Sequence, residues 1–314
     1  MVVESLIGSV CCSFTVLIAT TQILMHLWNY NEPRLQLYIS RIVLMVPAYS
    51  IQSFLSIIYP DRSLFFNTIR DCYEAYVLYL FTKLIIEYIG GEERVVTHFL
   101  HKKQIPHLWP FQNKILILNE KSYHRIKQGV FQFIVIKPLT SCLALLLAGW
   151  NVYKEADFSF DNGYLYCSIV NNISVTVSLY SLMLLYLACF EQLEPFGCVG
   201  KFLCIKAVIF FSFWQSCAFA IIVRLGWFGE FEEATLFVSS LQDLILCIEM
   251  ALASVAYWKC FSWRDFVMKN KREYSFLKSV RDVLNVKDVI YDAKKTFTHT
   301  GVQLGYKENS WENI

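Results

Sequence analysis

The chain has 314 residues, of which 56% are apolar, 16% aromatic and only 17% charged, with a formal net charge of +2. An ordinary soluble domain carries about 25% charged residues, so a soluble enzyme, a disordered chain and a collagen-like chain are excluded. The small net charge, and the placement of Lys and Arg between apolar runs, argue against a nucleic-acid binder.

Crossing a hydrocarbon core takes about 20 mostly apolar residues, and seven runs qualify. The first, near 6–27, follows a single charged side chain, Glu4, and lacks the basic stretch of a cleavable signal. The second lies near 39–59. The third, near 69–89, is unusual in its charges: it holds Arg70, Asp71, Glu74, Lys83 and Glu87. Arg70/Glu74 and Lys83/Glu87 are spaced for pairing along one helix. The following loop carries Arg94, Lys102, Lys103, Lys114, Lys121, Arg125 and Lys127. His98, His101 and His107 share it, without the further ligands a zinc site needs, and read as parts of a solvated basic loop.

The fourth run, near 130–150, places Pro138 after Lys137, where a missing backbone donor can bend the helix. The fifth, near 165–190, aligns Cys167, Asn171, Ser174, Ser178 and Ser181 on one face. Small residues of this kind let helix backbones approach closely. Asn172-Ile173-Ser174 matches a glycosylation pattern but falls inside this run. The sixth, near 202–225, holds Lys206, Gln215 and Arg224. The seventh, near 235–257, aligns Ser239, Gln242, Glu249 and Ala253, with Asp243 beside them.

Every run must be helical, because an open strand in lipid would leave unpaired N–H and C=O groups. The 90–129 loop and the segment after residue 258 collect the Lys and Arg, while 151–164 and 226–234 are acidic. By the positive-inside rule, the expectation is an all-α membrane protein with seven transmembrane helices in residues 1–258. Its N-terminus is outside or lumenal, and residues 259–314 form a cytoplasmic tail with an amphipathic helix over 277–297.

The 11 cysteines show no CxxC pair and no metal spacing. Most read as packing residues. Cys72 and Cys167, near the outer ends of spans three and five, are also placed for a bridge, and the inner-interface cysteines for lipidation.

Ionisable groups at mid-membrane are costly, and they face a partner, the bundle interior or water. Two readings stand. In one, these groups pair and fix the helix arrangement. In the other, they line a solute path through spans three, five, six and seven. The candidate lining residues are Glu249, Lys206, Gln215, Asn171, Gln242, Asp243, Ser174, Lys83 and Glu74. By depth, Glu249 would meet Lys206 or Lys137 in the inner half, with Asp243 and Glu74 in the outer half. Aromatic walls with a few charges suit a sterol-like body with an anionic or hydroxylated end.

Several segments make the chain similar to a known family. They are Ile69-Arg70-Asp71-Cys72-Tyr73-Glu74-Ala75-Tyr76, Glu87-Tyr88-Ile89-Gly90-Gly91-Glu92, Lys137-Pro138, and Gly163-Tyr164-Leu165-Tyr166 with Asn172-Ile173-Ser174-Val175. Lys201-Phe202-Leu203-Cys204-Ile205-Lys206, Phe211-Ser212-Phe213-Trp214-Gln215, Gln242-Asp243 and Cys247-Ile248-Glu249-Met250 complete the set. They resemble the organic solute transporter alpha / transmembrane protein 184 family, more closely its transmembrane protein 184 branch. The resemblance implies seven spans and a cytoplasmic C-terminus. From the solute-transporter branch it implies facilitated diffusion of bile-acid-like or steroid-like amphipaths and a single-span beta-type subunit. That branch has a cysteine-rich loop after span three, which is missing here because residues 90–129 contain no cysteine.

In the tail, Glu308-Asn309-Ser310-Trp311-Glu312-Asn313-Ile314 offers Trp311 and Ile314 to a ubiquitin-like autophagy modifier, by strand addition. Tyr274-Ser275-Phe276-Leu277 fits an endosomal sorting signal through Tyr274 and Leu277, or starts the amphipathic helix. The expected function is handling of an amphipathic solute or lipid, without catalysis, metal or cofactor. The alternative is an endosomal, lysosomal or vacuolar scaffold or receptor that recruits partners through its tail. Those membranes are expected over the plasma membrane.

Overall fold

The structure is a computed structural model that describes residues 2–109, 112–150, 152–153, 159–224, 231–267 and 275–285. The tail candidates Tyr274, Trp311 and Ile314 lie outside the described residues.

Helix α1 (Val2–Trp28) is apolar almost throughout. Pro33 opens α2 (Pro33–Val43), where its missing N–H has no partner to lose. The chain continues into α3 (Met45–Ile58) through a break at Leu44. Pro47 explains the break, since it cannot donate to the carbonyl of Val43 four residues back. Together α2 and α3 make one membrane-length segment, Pro33–Ile58. Helix α4 (Ser63–Ile89) ends at Gly90, and α5 (Glu92–Lys102) starts after Gly91. Both glycines have positive φ, 99° and 100°, which turns the chain sharply back under the bundle. A short antiparallel hairpin follows, β1 (Gln104–Pro106) and β2 (Ile115–Ile117), with Ile105 opposite Leu116. Among the described residues it is the one strand pair beside the helices.

Asn119 caps α6 (Glu120–Gly149) by accepting from the Ser122 N–H at 2.8 Å. Asn162 caps α7 (Gly163–Ala188) through the Tyr164 N–H at 3.1 Å. A short α8 (Phe190–Leu193) leads to α9 (Cys198–Arg224), then α10 (Phe231–Cys260) and the tail helix α11 (Phe276–Leu284).

Each expected span falls on one long helix or, for the second, on the α2–α3 pair. The helices begin earlier than the apolar runs: α4 at Ser63 rather than 69, and α6 at Glu120 rather than 130. Among the described residues, five segments are long and apolar enough to cross a membrane, Val3–Trp28, Pro33–Ile58, Glu120–Gly149, Gly163–Ala188 and Phe237–Phe266; of the seven expected spans, those on the more charged α4 and on α9 are not among them. Their outward faces are apolar. Leu6, Val10 and Leu17 on α1, Leu139 and Leu146 on α6, and Leu252 on α10 are all more than 60% exposed. A soluble monomer does not display such continuous apolar surface.

Helix α4 is the centre. Ala75 and Val77 to Ile86 are all buried, and α4 packs against α2, α3 and α6. On one side, α7 packs along α6. The small stripe of α7 lies in this seam: Ser174 and Gln132 exchange hydrogen bonds at 2.6 Å, and Ser178 approaches the Val130 carbonyl at 3.4 Å. A Cβ added at Gly129 would overlap the Ser181 hydroxyl. On the other side, α1, α3 and α10 pack together, with α9 outside α10.

Buried amides finish the helix ends. Gln22 donates to the carbonyls of Tyr257 and Phe261 at 2.9 and 2.8 Å, and Asn31 to that of Phe266 at 2.7 Å. The first two carbonyls lie at the C-terminal end of α10 and the third in the turn Trp263–Phe266 that follows it, where main-chain acceptors run short of helical donors.

Arg41, almost fully buried on α2, does the same for α11. Its Nε donates to the Val283 carbonyl at 2.9 Å, and its Nη2 to those of Asp282 and Asn285 at 3.2 and 2.6 Å. A cation at a helix C-terminus also meets the negative end of the helix dipole. The tail helix is therefore docked through Arg41. Leu277 and Leu284, expected on its apolar face, are 77% and 71% exposed, and its Ser279 is buried. The helix stops at Leu284, because Asn285 is extended, so the expected unbroken helix over 277–297 is interrupted there; residues 286–297 lie outside the described residues.

Cys72 and Cys167 are both free thiols, in keeping with the packing reading rather than the bridge. Two expectations change. The histidine loop is not simply solvated: His98 bonds the Ala188 carbonyl at 3.0 Å, and His107 bonds the Tyr180 hydroxyl at 2.7 Å, pinning the loop to α7. Their ring nitrogens take main-chain and phenol partners that sequence spacing does not reveal. The second change is the pairing of the charged groups, described below.

Arg41→Met is expected to free α11 while the bundle stays folded, because bonds worth about 1.5–3 kcal/mol each are lost. Hydrogen exchange should accelerate over residues 276–284 and stay slow in α10. Gly129→Val should separate α6 from α7 at a cost of about 1–3 kcal/mol, read as a lower melting temperature in detergent.

Candidate functional site: a charged layer inside the bundle

Helix α4 presents carboxylates at two neighbouring positions. Asp71 pairs with Lys137 of α6 at 3.0 Å, and Ser141 Oγ donates to Asp71 at 3.3 Å. Glu74 pairs with Lys206 of α9 at 3.8 Å, with both side chains about 15% exposed. The first pair is at hydrogen-bonding distance. The second is looser than a direct ammonium–carboxylate bond, which runs about 2.7–2.9 Å.

These pairs differ from the depth reading. Glu249 meets neither Lys206 nor Lys137; it accepts from the Gln215 amide across the α9–α10 contact. The physical reason is where the helices start. Helix α4 begins at Ser63, so Glu74 stands eleven residues inside it, near mid-helix. Helix α9 begins at Cys198, which brings Lys206 to the same level. The remaining oxygens, Glu249 Oε2 and Gln215 Oε1, are buried without a hydrogen-bond partner.

Beside the Asp71–Lys137 pair is a small cavity of ≈ 40 Å³. Asn67, Thr68, Asp71, Thr140, Ser141 and Asn171 supply its polar lining. Thr140 donates to Asn171 Oδ1 at 2.6 Å. A space this size holds about three waters.

The other candidates are dispersed. Ser174 is buried in the α6–α7 seam with Gln132. Asp243 is buried on α10, and Gln242 half-buried next to it. Lys83 sits at the opposite end of α4, where it reaches Glu92 of α5 at 3.1 Å; Lys127 of α6 reaches the same oxygen at 2.6 Å. Glu87 meets Arg34 at 3.4 Å. Thus Glu74 and Lys206 link α4 to α9, Asn171 lines the cavity beside Asp71, and Gln215 and Glu249 link α9 to α10. Lys83 belongs to a separate lock at the α5 end of α4.

The reading of lining residues omitted Asp71, Lys137, Thr140 and Glu92. Asp71 and Lys137 had a visible signal: opposite charges inside neighbouring apolar runs, each needing a counter-ion. Glu92 had a weaker one, an acid directly after a glycine pair that turns the chain back.

The profile of a family described as organic solute transporter Ostalpha matches residues 5–266. A transmembrane protein 184 homologue from Dictyostelium discoideum is 38% identical over 270 residues, covering 83% of this chain and 53% of that protein. The chain therefore spans about half the length of this curated relative. No solved structure matches.

Glu92 yields a stability test. Burial alone would push its carboxyl up, but the ammoniums of Lys83 and Lys127 outweigh that and lower it from 4.5 to about 2. A lowered carboxyl contributes stability above its unfolded value, and the contribution disappears as pH falls through the folded one. Acid should therefore weaken the α4–α5–α6 lock between pH 4.5 and about 2. Glu92→Gln removes the carboxylate that Lys83 and Lys127 share and should lower the melting temperature at neutral pH. Its melting temperature should also lose the wild-type fall across that acid range.

Proposed function

The chain belongs to the organic solute transporter alpha and transmembrane protein 184 family, and from that premise we propose that it passes amphipathic solutes down their gradient through a seven-span bundle. Its solute has a steroid-like or lipid-like body and one anionic or hydroxylated end. The N-terminus is outside or lumenal and the C-terminus cytoplasmic, as the Lys and Arg distribution requires. The tail signals around Tyr274 and Trp311 favour an endosomal, lysosomal or vacuolar membrane.

One observation carries this reading: Lys206 and Glu74, mostly buried between α4 and α9, are 3.8 Å apart. The pair neutralises the ammonium without saturating its donors. A sulfate or carboxylate at the end of an amphipath would complete that ammonium's coordination. The unpartnered Gln215 Oε1, also on α9, would accept from a solute hydroxyl. The cavity beside Asp71 is far below the several hundred Å³ that a drug-sized ligand occupies. Passage therefore needs α9 to move away from α4, which the loose pair permits more readily than the direct Asp71–Lys137 pair.

The test is uptake of labelled steroid sulfate and conjugated bile acid into proteoliposomes, with and without a single-span beta-type subunit. Wild type should show saturable uptake without added nucleotide. Lys206→Gln should reduce sulfate uptake about tenfold, the loss of one charge-assisted contact. Glu249→Gln should alter solute preference while leaving the fold intact. Unchanged flux in both folded variants would reject the site. Absence of flux in folded wild type in both arms would reject the carrier.

A further inference from the structure

At the end of the bundle where the Lys- and Arg-rich loop lies, an open cup of ≈ 320 Å³ is lined by Ile89, Arg94, Thr97, His98, His101 and Gln192. It is separate from the charged layer and lies within the size range of small-molecule sites. Two of its groups are unanswered.

The first is a cation. Among the described residues, Arg94 makes no ion pair or hydrogen bond. Its side chain lies across Gly90: a Cβ there would stand 2.6 Å from Arg94 Nη1 and 2.7 Å from its Cδ. Glycine at 90 thus serves twice, for the left-handed turn that ends α4 and for the seat of this guanidinium.

The second is an acceptor. The Ala188 carbonyl can only accept, so His98 Nε2 carries the proton and donates to it at 3.0 Å. His98 Nδ1 is then an acceptor for Gln192 Nε2, also at 3.0 Å. This relay fixes the orientation of the Gln192 amide and leaves its Oε1 buried with no donor. The neighbouring carboxylate, Glu191, is answered by Lys102 at 3.8 Å.

A ligand that satisfies both groups must carry an anion for the exposed guanidinium and a hydroxyl that reaches the amide oxygen as the side chains over it move aside. We propose that the cup binds a phosphorylated polyol, an inositol phosphate, with a phosphate on Arg94 and a ring hydroxyl on Gln192 Oε1. A guanidinium suits phosphate because its N–H groups form a planar fork. The cup opens at the end of α4, beside Ile89, at the level where basic pockets of membrane proteins meet lipid headgroups. The same chemistry is available from a phosphoinositide headgroup and from a soluble inositol phosphate.

The experiment uses the full chain in nanodiscs of zwitterionic lipid. Binding of inositol trisphosphate, a short-chain phosphoinositide and inorganic phosphate is followed by thermophoresis. Saturable binding of at least one inositol probe, tighter than inorganic phosphate, is expected. Arg94→Gln should weaken it about tenfold or more, and Lys121→Gln, which removes the same charge outside the cup, should leave it unchanged. Gln192→Leu should reduce the preference for the inositol probe over inorganic phosphate, a readout independent of Arg94 folding defects. Binding of the soluble trisphosphate assigns a soluble ligand, and binding of the short-chain lipid alone assigns the headgroup. The proposal is overturned if neither inositol probe binds saturably, if inorganic phosphate binds as tightly, or if Lys121→Gln weakens binding as much as Arg94→Gln. Solute uptake through the charged layer is a separate measurement, so the two readings fail independently.

Discussion

A charge inside a membrane needs a counter-charge or water, and the central helix α4 carries Arg70, Asp71, Glu74, Lys83 and Glu87. Removing a partner from such a group is far more costly than the pair itself is favourable. The consequence is geometric. Asp71 requires Lys137 and so places α6; Glu74 takes Lys206 and so places α9. Tyr73, between them, donates to the Arg41 carbonyl at 2.8 Å and ties in α2. At its other end Lys83 shares Glu92 with Lys127, closing the α5 loop onto α6. The central helix is therefore located by charge. The outer helices, whose lipid faces are apolar, are located by shape.

The two kinds of contact divide the molecule. The α6–α7 seam is close, hydroxyl-lined and backbone-tight at Gly129, in the manner of small-residue membrane interfaces. The α4–α9 contact is looser, with a long ion pair and the Phe81–Phe202 ring contact at 5.8 Å. On the function proposed above, the bundle opens along the second contact while the first holds.

The segments outside the spans are part of the same construction. The basic loop is anchored by His98 and His107 to α7, and α11 is capped by a buried arginine from α2. Charged and polar groups thus fasten both to the bundle.

Much of the architecture was legible in the sequence. Apolar runs of membrane length located the long helices, because lipid leaves the backbone no alternative to internal hydrogen bonds. The 4,3,4,3 spacing on α7 located a helix seam, because one face of a helix is a local property of the chain. Family membership was legible in motifs such as Lys201–Lys206 and Gln242-Asp243. The pairing of charges was not. Which ammonium meets which carboxylate depends on where each helix starts and on which helices are neighbours, and both are set by packing across hundreds of residues. The same holds for Arg41, whose partners are main-chain carbonyls some 240 positions away, and for Arg94 and Gln192, which only the folded loop brings to one cup. The local chemistry of each residue was in the sequence; its partner was decided by the tertiary structure, because counter-charges and carbonyls are recognised by distance in space and carry no periodicity along the chain.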